Sequence, residues 1–151
     1  MKTITEITRQ KSTPPQIRLA PYSRVSSDSS DQLHSFAAQI KYYSEYCKRH
    51  PEYKFVDIYA DEGITGTSME KRDDFRRMLR DCKKGLIDRI IVKSMSRFAR
   101  NTEEMLTALR ALEQMEVSVY FEEQGLDTKS MNSEMFATFP GMVAQQESVS
   151  I

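Results

Sequence analysis

Strand-type and helix-type segments alternate four times along this chain, and that alternation limits its fold more than any other feature. Residues 1–16 read as a flexible arm, because Pro14-Pro15 fits neither a helix interior nor a central strand. Ile17 to Val25 reads as a first strand. Asp31 is placed to cap a helix whose Leu33, Phe36, Ala37 and Ile40 recur on one face, and which runs to about Arg49. Phe55 to Tyr59 is a second strand, followed by a loop from Asp61 to Lys71 that holds Gly63 and Gly66. A second helix starts at Asp73-Asp74, whose charges suit its N-terminal dipole. Its apolar stripe is Phe75, Met78, Leu79 and Cys82, and Gly85 is placed to end it.

Arg89 to Lys93 reads as a third strand, aliphatic enough to be buried on both faces. Asn101, with Glu104 three residues on, resembles a capping box and opens a helix that buries Met105, Ala108, Leu109 and Leu112. Val117, Val119 and Phe121 alternate as a fourth strand. A last helix begins near Asn132-Ser133, and Pro140-Gly141 interrupts it. The pattern predicts an α/β domain over residues 17–151, with a mostly parallel central sheet of about four to five strands, flanking helices and a C-terminal helix.

The chain's 151 residues suffice for one such domain. Its longest strongly aliphatic run is Ile90-Ile91-Val92, far short of the roughly 18 apolar residues a spanning helix needs. The first residues lack the apolar core of a secretion signal. Cys47 and Cys82 have no metal spacing and read as buried, reduced thiols of a cytoplasmic protein.

Formal net charge is zero, but its distribution is uneven. Residues 71–100 hold eleven basic and four acidic groups, whereas residues 101–151 hold two basic and nine acidic. A basic block in a neutral chain can be the footprint of a polyanion site. Arg76, Arg77, Arg80, Lys83 and Lys84 equally fit a solvated helix face.

Several kinds of chemistry are excluded. None of the five glycines starts a phosphate loop of the GxxxxGK[ST] type, and no GxGxxG exists. His34 and His50 are the only histidines, too few for a His-rich metal site or a Ser-His-Asp triad. Asp57, Asp61 and Glu62 lack a recognisable metal spacing. The reading is therefore of no cofactor and no metal.

Serine and arginine remain. Arg24-Val25-Ser26 lies at the carboxyl end of the first strand, the edge where open α/β sheets bind ligands. Arg97 and Arg100 follow the third strand, and Arg72 closes the loop after the second. One edge can thus collect Ser26, Arg24, Arg72, Arg97 and Arg100. A serine hydroxyl ringed by guanidiniums, without histidine, suits attack on a phosphodiester. Arginine holds phosphate oxygens in a planar fork and can stabilise the charge at a pentacoordinate phosphorus without a metal.

In order along Leu19 to Ser150, these residues resemble the catalytic domain of the serine recombinases: resolvases, invertases, and the large serine integrases and transposases of mobile elements. Tyr22-Ser23-Arg24-Val25-Ser26-Ser27 looks like the family's Tyr-x-Arg-Val-Ser-Thr signature. Asp31-Gln32-Leu33 through Gln39 is similar to the stretch that supplies active-site glutamines. Asp61-Glu62-Gly63-Ile64-Thr65-Gly66-Thr67 through Arg72 resembles the loop that ends in a catalytic arginine. Lys93-Ser94-Met95-Ser96-Arg97-Phe98-Ala99-Arg100-Asn101 resembles the arginine-pair motif. Ser96 stands where small resolvases carry aspartate, which favours the large-recombinase branch.

The resemblance implies a resolvase-like three-layer fold and a site-specific recombinase working on DNA. It assigns Ser26 as the nucleophile that forms a 5′-phosphoserine link, and Arg24, Arg72, Arg97 and Arg100 as the groups on the phosphate. Tyr22, Gln32, Gln39 and Lys93 become positioning residues. It further implies a dimer and a synaptic tetramer of the full-length protein, in a bacterial cytoplasm and on the nucleoid when acting. Because large serine recombinases continue well past this point, the chain reads as a fragment without its C-terminal DNA-binding region. Two other readings fit the same residues: a silent oligomerisation or regulatory module, and another phosphate-processing enzyme.

Overall fold

A computed structural model describes residues 15–26, 36–63, 72–131 and residue 138, with Val25, Ser26 and Gly63 described in their backbone only. The arm up to residue 14, Asp31, Gln32, Leu33, Gly66 and Pro140-Gly141 lie outside the described residues. The elements are β1 (Ile17–Ser26), α1 (Phe36–Arg49), β2 (Tyr53–Phe55), β3 (Tyr59–Gly63), α2 (Asp73–Lys83), β4 (Arg89–Val92), α3 (Met95–Phe98), α4 (Thr102–Gln114), β5 (Ser118–Phe121) and β6 (Leu126–Asp127). Among the described residues no helix is long and apolar enough to cross a membrane.

The sheet runs in the order β2-β1-β4-β5-β6, with β3 also paired to β1. All pairings are parallel except that of β5 with β6. The α/β architecture agrees with the alternation read from the sequence, with six strands among the described residues where about four to five were expected. One extra strand is β6, too short to leave a periodic signal. The other arises because the expected strand over Phe55 to Tyr59 is divided.

Its centre, Val56 to Ile58, is the gap between β2 and β3. Leu19 pairs with Phe55 and Tyr22 with Tyr59, so the partner chain spends one residue more than β1 over this stretch. The cause is Pro21. Ile17 and Leu19 make their ladder bonds toward this side, to Glu52 and Val56. Pro21 falls on the same side by the two-residue period and has no N–H to donate. The strand then resumes as far as Gly63, through residues expected to form a loop.

Two apolar layers cover the sheet. On one face, Phe75, Met78 and Cys82 of α2 and Met105, Ala108, Leu109 and Leu112 of α4 pack on Ala20, Tyr22, Ile90, Val92, Val119 and Phe121. These helical stripes are the ones the 3.6-residue period predicts. On the other face, Tyr43 of α1 packs on Leu19, Ile58 and Ile91. Here the expected stripe is displaced. Phe36 is 49% exposed and Ala37 is exposed, whereas Ile40, Tyr43 and Cys47 face the sheet. Both sets recur at helical spacing, so sequence period alone could not choose between them. Cys82 is buried as expected, but Cys47 is only partly buried.

Helix ends follow local chemistry. The Asn101 side chain accepts from the Glu104 N–H at 2.8 Å and caps α4. Gly85, at φ 79°, ends α2 in the left-handed region, with the Leu86 N–H reaching back to the Asp81 carbonyl at 3.0 Å.

Candidate active site

The carboxyl ends of β1, β3, β4 and β5 share one edge of the sheet, and the sequence-predicted residues converge there. The Ser26 backbone ends β1 opposite Gly63 of β3, while its side chain lies outside the described residues. Gln32 also lies outside them. Two residues before Ser26, the half-buried Arg24 interlocks with α3. Its guanidinium donates to the Ser96 carbonyl at 3.3 Å, and its own carbonyl accepts from the Arg97 guanidinium at 2.9 Å. The strand end carrying the candidate nucleophile and the helix carrying Arg97 therefore hold one another.

Charge is concentrated here. Burial pulls the Arg24 guanidinium below its ordinary value, Tyr22 opposes this, and the nearby charges of Arg72, Arg97 and Arg100 add to it. Four arginines from three separate segments therefore act on one locale, which is the arrangement a phosphate dianion or phosphodiester requires. Arg100 is exposed. Lys93 is exposed too, with its ammonium 5.4 Å from the centre of the Tyr42 ring. The Gln39 side-chain oxygen accepts from the Ser23 hydroxyl at 3.2 Å. Ser23, Arg24, Gln39, Lys93 and Arg97 line a cleft of about 330 Å³.

Arg72 is placed differently. It precedes the first residue of α2, and its side chain is 12% exposed. The guanidinium pairs with Glu104, donates to the Phe98 carbonyl, and lies 3.8 Å above the Phe75 ring centre. It also donates to the Tyr22 hydroxyl at 3.3 Å, while its buried Nε has no partner among the described residues. In this structure Arg72 therefore holds the Arg97–Arg100 segment from the inside, through Phe98. Tyr22 is fully buried, and burial above all raises its phenol well past the ordinary value. Its hydroxyl acts inward, donating to Asp61 at 2.7 Å.

Asp61 is the functional group that sequence reasoning assigned least well, as a loop residue and an unsupported metal ligand. It is buried in the middle of β3. Besides Tyr22, it accepts from the backbone N–H groups of Asp74 and Phe75 at 2.9 and 3.0 Å. It thus supplies, from across the chain, the cap that Arg72 cannot give to α2. Asp74 returns the contact by accepting from the Ala60 N–H at 3.0 Å. Asp57 is likewise engaged, with Arg77 at 3.1 Å. Among the described residues, no three metal-ligating side chains come together. The Asp-Asp pair after Arg72 was the available sequence signal.

The basic block is not one surface. Arg77 is neutralised by Asp57 and Asp74 and stacked 4.1 Å from the Tyr59 ring centre. Arg89 is buried in a pair with Asp127 at the far edge of the sheet. Arg76, Arg80, Lys83 and Lys84 are exposed along α2, and Arg72, Lys93, Arg97 and Arg100 belong to the edge just described.

The fold occurs in known proteins. The family model Resolvase, N terminal domain matches residues 19–151. A resolvase family site-specific recombinase from Streptococcus pneumoniae is similar at 27% identity over 89% of this chain and 91% of that one, with a TM-score of 0.67. The N-terminal catalytic domain of TP901-1 integrase shares the fold at 20% identity over 87% of this chain and 96% of that one, TM-score 0.68. A serine recombinase from Sulfolobus solfataricus shares it at 22% identity over 89% and 84%, TM-score 0.53. Among curated proteins no sequence matches. With the family model spanning nearly all of the α/β domain and the arginines gathered at its strand ends, the chain belongs to the resolvase N-terminal domain family and is the catalytic domain of a site-specific serine recombinase.

Proposed function

We propose that this domain breaks and rejoins DNA by transesterification at Ser26. The Ser26 hydroxyl oxygen attacks the scissile phosphorus, and the bond from phosphorus to the 3′-oxygen breaks. The serine gives up its proton and the leaving 3′-oxygen gains one. The phosphate remains on the 5′ end as a phosphoserine ester. One phosphoester replaces another, so the reverse attack by a 3′-hydroxyl reseals the strand without a nucleotide cofactor.

The observation that carries this reading is the gathering of Arg24, Arg72, Arg97 and Arg100 at the edge where β1 brings Ser26. Guanidiniums stay charged at any working pH, so they can stabilise the extra charge on the equatorial oxygens of the transition state. Arg24 and Arg97 sit at the cleft, and Arg100 is exposed. Arg72 and Tyr22 support them from inside. Gln39 and Lys93 flank the phosphate path, and Gln32 joins them by the family resemblance. Exchange between two duplexes needs four such nucleophiles, hence a dimer on each site and a synaptic tetramer.

The test is covalent capture. The protein is incubated with a library of randomised duplexes, stopped with detergent, and the protein-linked DNA isolated. We expect linkage at Ser26 by mass spectrometry of nuclease-trimmed peptides, and none in Ser26→Ala. Linkage that persists in Ser26→Ala would overturn the assignment.

A further inference from the structure

We propose that the turn after β5, Glu122 to Gly125, is a bracket that holds two elements lining the cleft, with Glu122 and Gln124 as positioning residues. The inference rests on the DNA-cleaving reading above and adds two residues that belong to none of the recombinase motifs in the sequence.

The turn begins at the same sheet edge as the site. The Glu122 and Glu123 N–H groups donate to the Val92 and Lys93 carbonyls, each at 2.9 Å. The β4–β5 ladder thus continues past the strands, and the turn is fixed to the segment leading into α3. From this anchored backbone two side chains reach in different directions. The Glu122 carboxylate accepts from the Tyr42 hydroxyl at 2.7 Å and from the Tyr43 hydroxyl at 2.9 Å, one on each oxygen. Both phenols belong to α1, which carries Gln39 one helical turn before Tyr43. The Gln124 side-chain oxygen accepts from the Met95 N–H at 3.2 Å. Met95 is the first residue of α3, the four-residue helix that carries Arg97.

Each contact meets a need its helix does not meet alone. Helix α3 is too short to be stable by itself, and its N-cap residue Ser94 makes no side-chain capping bond. Gln124 therefore satisfies an otherwise open N–H and fixes where α3 starts. Helix α1 lies on the sheet through Tyr43, whose hydroxyl is buried at the layer boundary and needs an acceptor. Burial first, then Glu122, raises the Tyr42 phenol to about 12, so it stays a donor at neutral pH. One carboxylate accepting two phenols fixes both the rotation of α1 and its height above the strand ends. Gln39 and Arg97 both line the cleft, and the elements that carry them are thus held by one turn.

The test uses Glu122→Gln and Gln124→Ala in the whole chain, on duplexes enriched by covalent capture with the wild type. A carboxamide has one oxygen to accept with, so one phenol loses its partner. We expect single-turnover cleavage at saturating DNA to fall by about ten- to a hundredfold, the range for small misplacements of catalytic groups, with DNA affinity unchanged. A role through Gln39 predicts non-additivity: Glu122→Gln costs nothing further in a Gln39→Ala background. The same holds for Gln124→Ala on top of Arg97→Lys. Equal losses in both backgrounds would mean bulk stability alone and would overturn the proposal. Tyr42→Phe, at a partly exposed ring, serves if Glu122→Gln does not fold.

A second readout needs no cleavage. Heteronuclear NMR of the DNA-free protein should show the Gln39 side-chain amide moving in Glu122→Gln, and the Arg97 Nε–H moving in Gln124→Ala, with α2 and α4 unperturbed. Unmoved signals would overturn the bracket and leave the Ser26 chemistry standing. Absent adducts in the wild type, with moved signals, would fault the chemistry and leave the bracket.

Discussion

Arg72 and Glu104, thirty-two residues apart, form the ion pair that ties the start of α2 to the first turn of α4. The same Glu104 gives its backbone N–H to the Asn101 cap while its carboxylate pairs with Arg72, so one residue serves both the cap and the ion pair. The pair encloses the segment from Arg97 to Arg100, whose Phe98 carbonyl the Arg72 guanidinium also holds.

Removing that carboxylate should be felt in stability, because the Arg72 side chain is 12% exposed and cannot turn to water freely. We expect Glu104→Ala to cost about 1–3 kcal/mol, the price of leaving a largely buried charged donor without its partner. Urea unfolding measures it. A loss within about 0.5 kcal/mol would class the pair with exposed surface bridges.

Acid should weaken the far edge of the sheet. Hydrogen bonds from Arg18 hold the Asp88 carboxyl below its ordinary value. Asp127 is also low: burial pushes it up, but the bonds from Arg89 and the Lys129 N–H outweigh that. A carboxyl whose folded pKa is depressed stabilises the fold above its unfolded value, near 4, and that contribution disappears as pH falls through the folded value. The melting temperature should therefore drop steeply below about pH 4, and less steeply in Asp88→Asn. An unchanged slope in Asp88→Asn would remove Asp88 from this role.

Glu116 holds a left-handed conformation, φ 61°, just past the end of α4. The Val117 N–H reaches back to the Leu112 carbonyl at 2.9 Å, the closure that Gly85 provides after α2. A side chain at such a position costs about 1–2 kcal/mol, from which glycine's extra chain entropy must be subtracted. Glu116→Gly should therefore stabilise the protein by about 1 kcal/mol, whereas Gly85→Ala should destabilise it by a similar amount. Nothing lies within 4 Å of a Cβ built on Gly85, so the second effect is purely one of backbone conformation. Calorimetry on both variants checks the opposite signs.

The sequence by itself determined the layers and the edge. Period-3.6 stripes in α2 and α4 and the aliphatic run of β4 state which faces must leave water, and a chain alternating these elements has few ways to comply. The motif order placed Arg24 at the end of one strand and Arg97 and Arg100 after another, and the carboxyl ends of these strands must coincide in a parallel sheet. Only the tertiary structure decided the rest. Pro21 divides the neighbouring strand because its missing N–H falls on one particular side, which depends on pairing register. The face of α1 shifts from Phe36 to Tyr43 because two stripes were equally periodic and only contact with Leu19 and Ile91 selects one. The partners of Asp61, Glu104 and Glu122, which include Asp74, Arg72 and Tyr43, arrive from distant segments and could not be read along the chain. Hydrophobic period is a local property and can be read along the chain. Which carboxylate meets which donor depends on distances across the fold, and a linear sequence does not carry them.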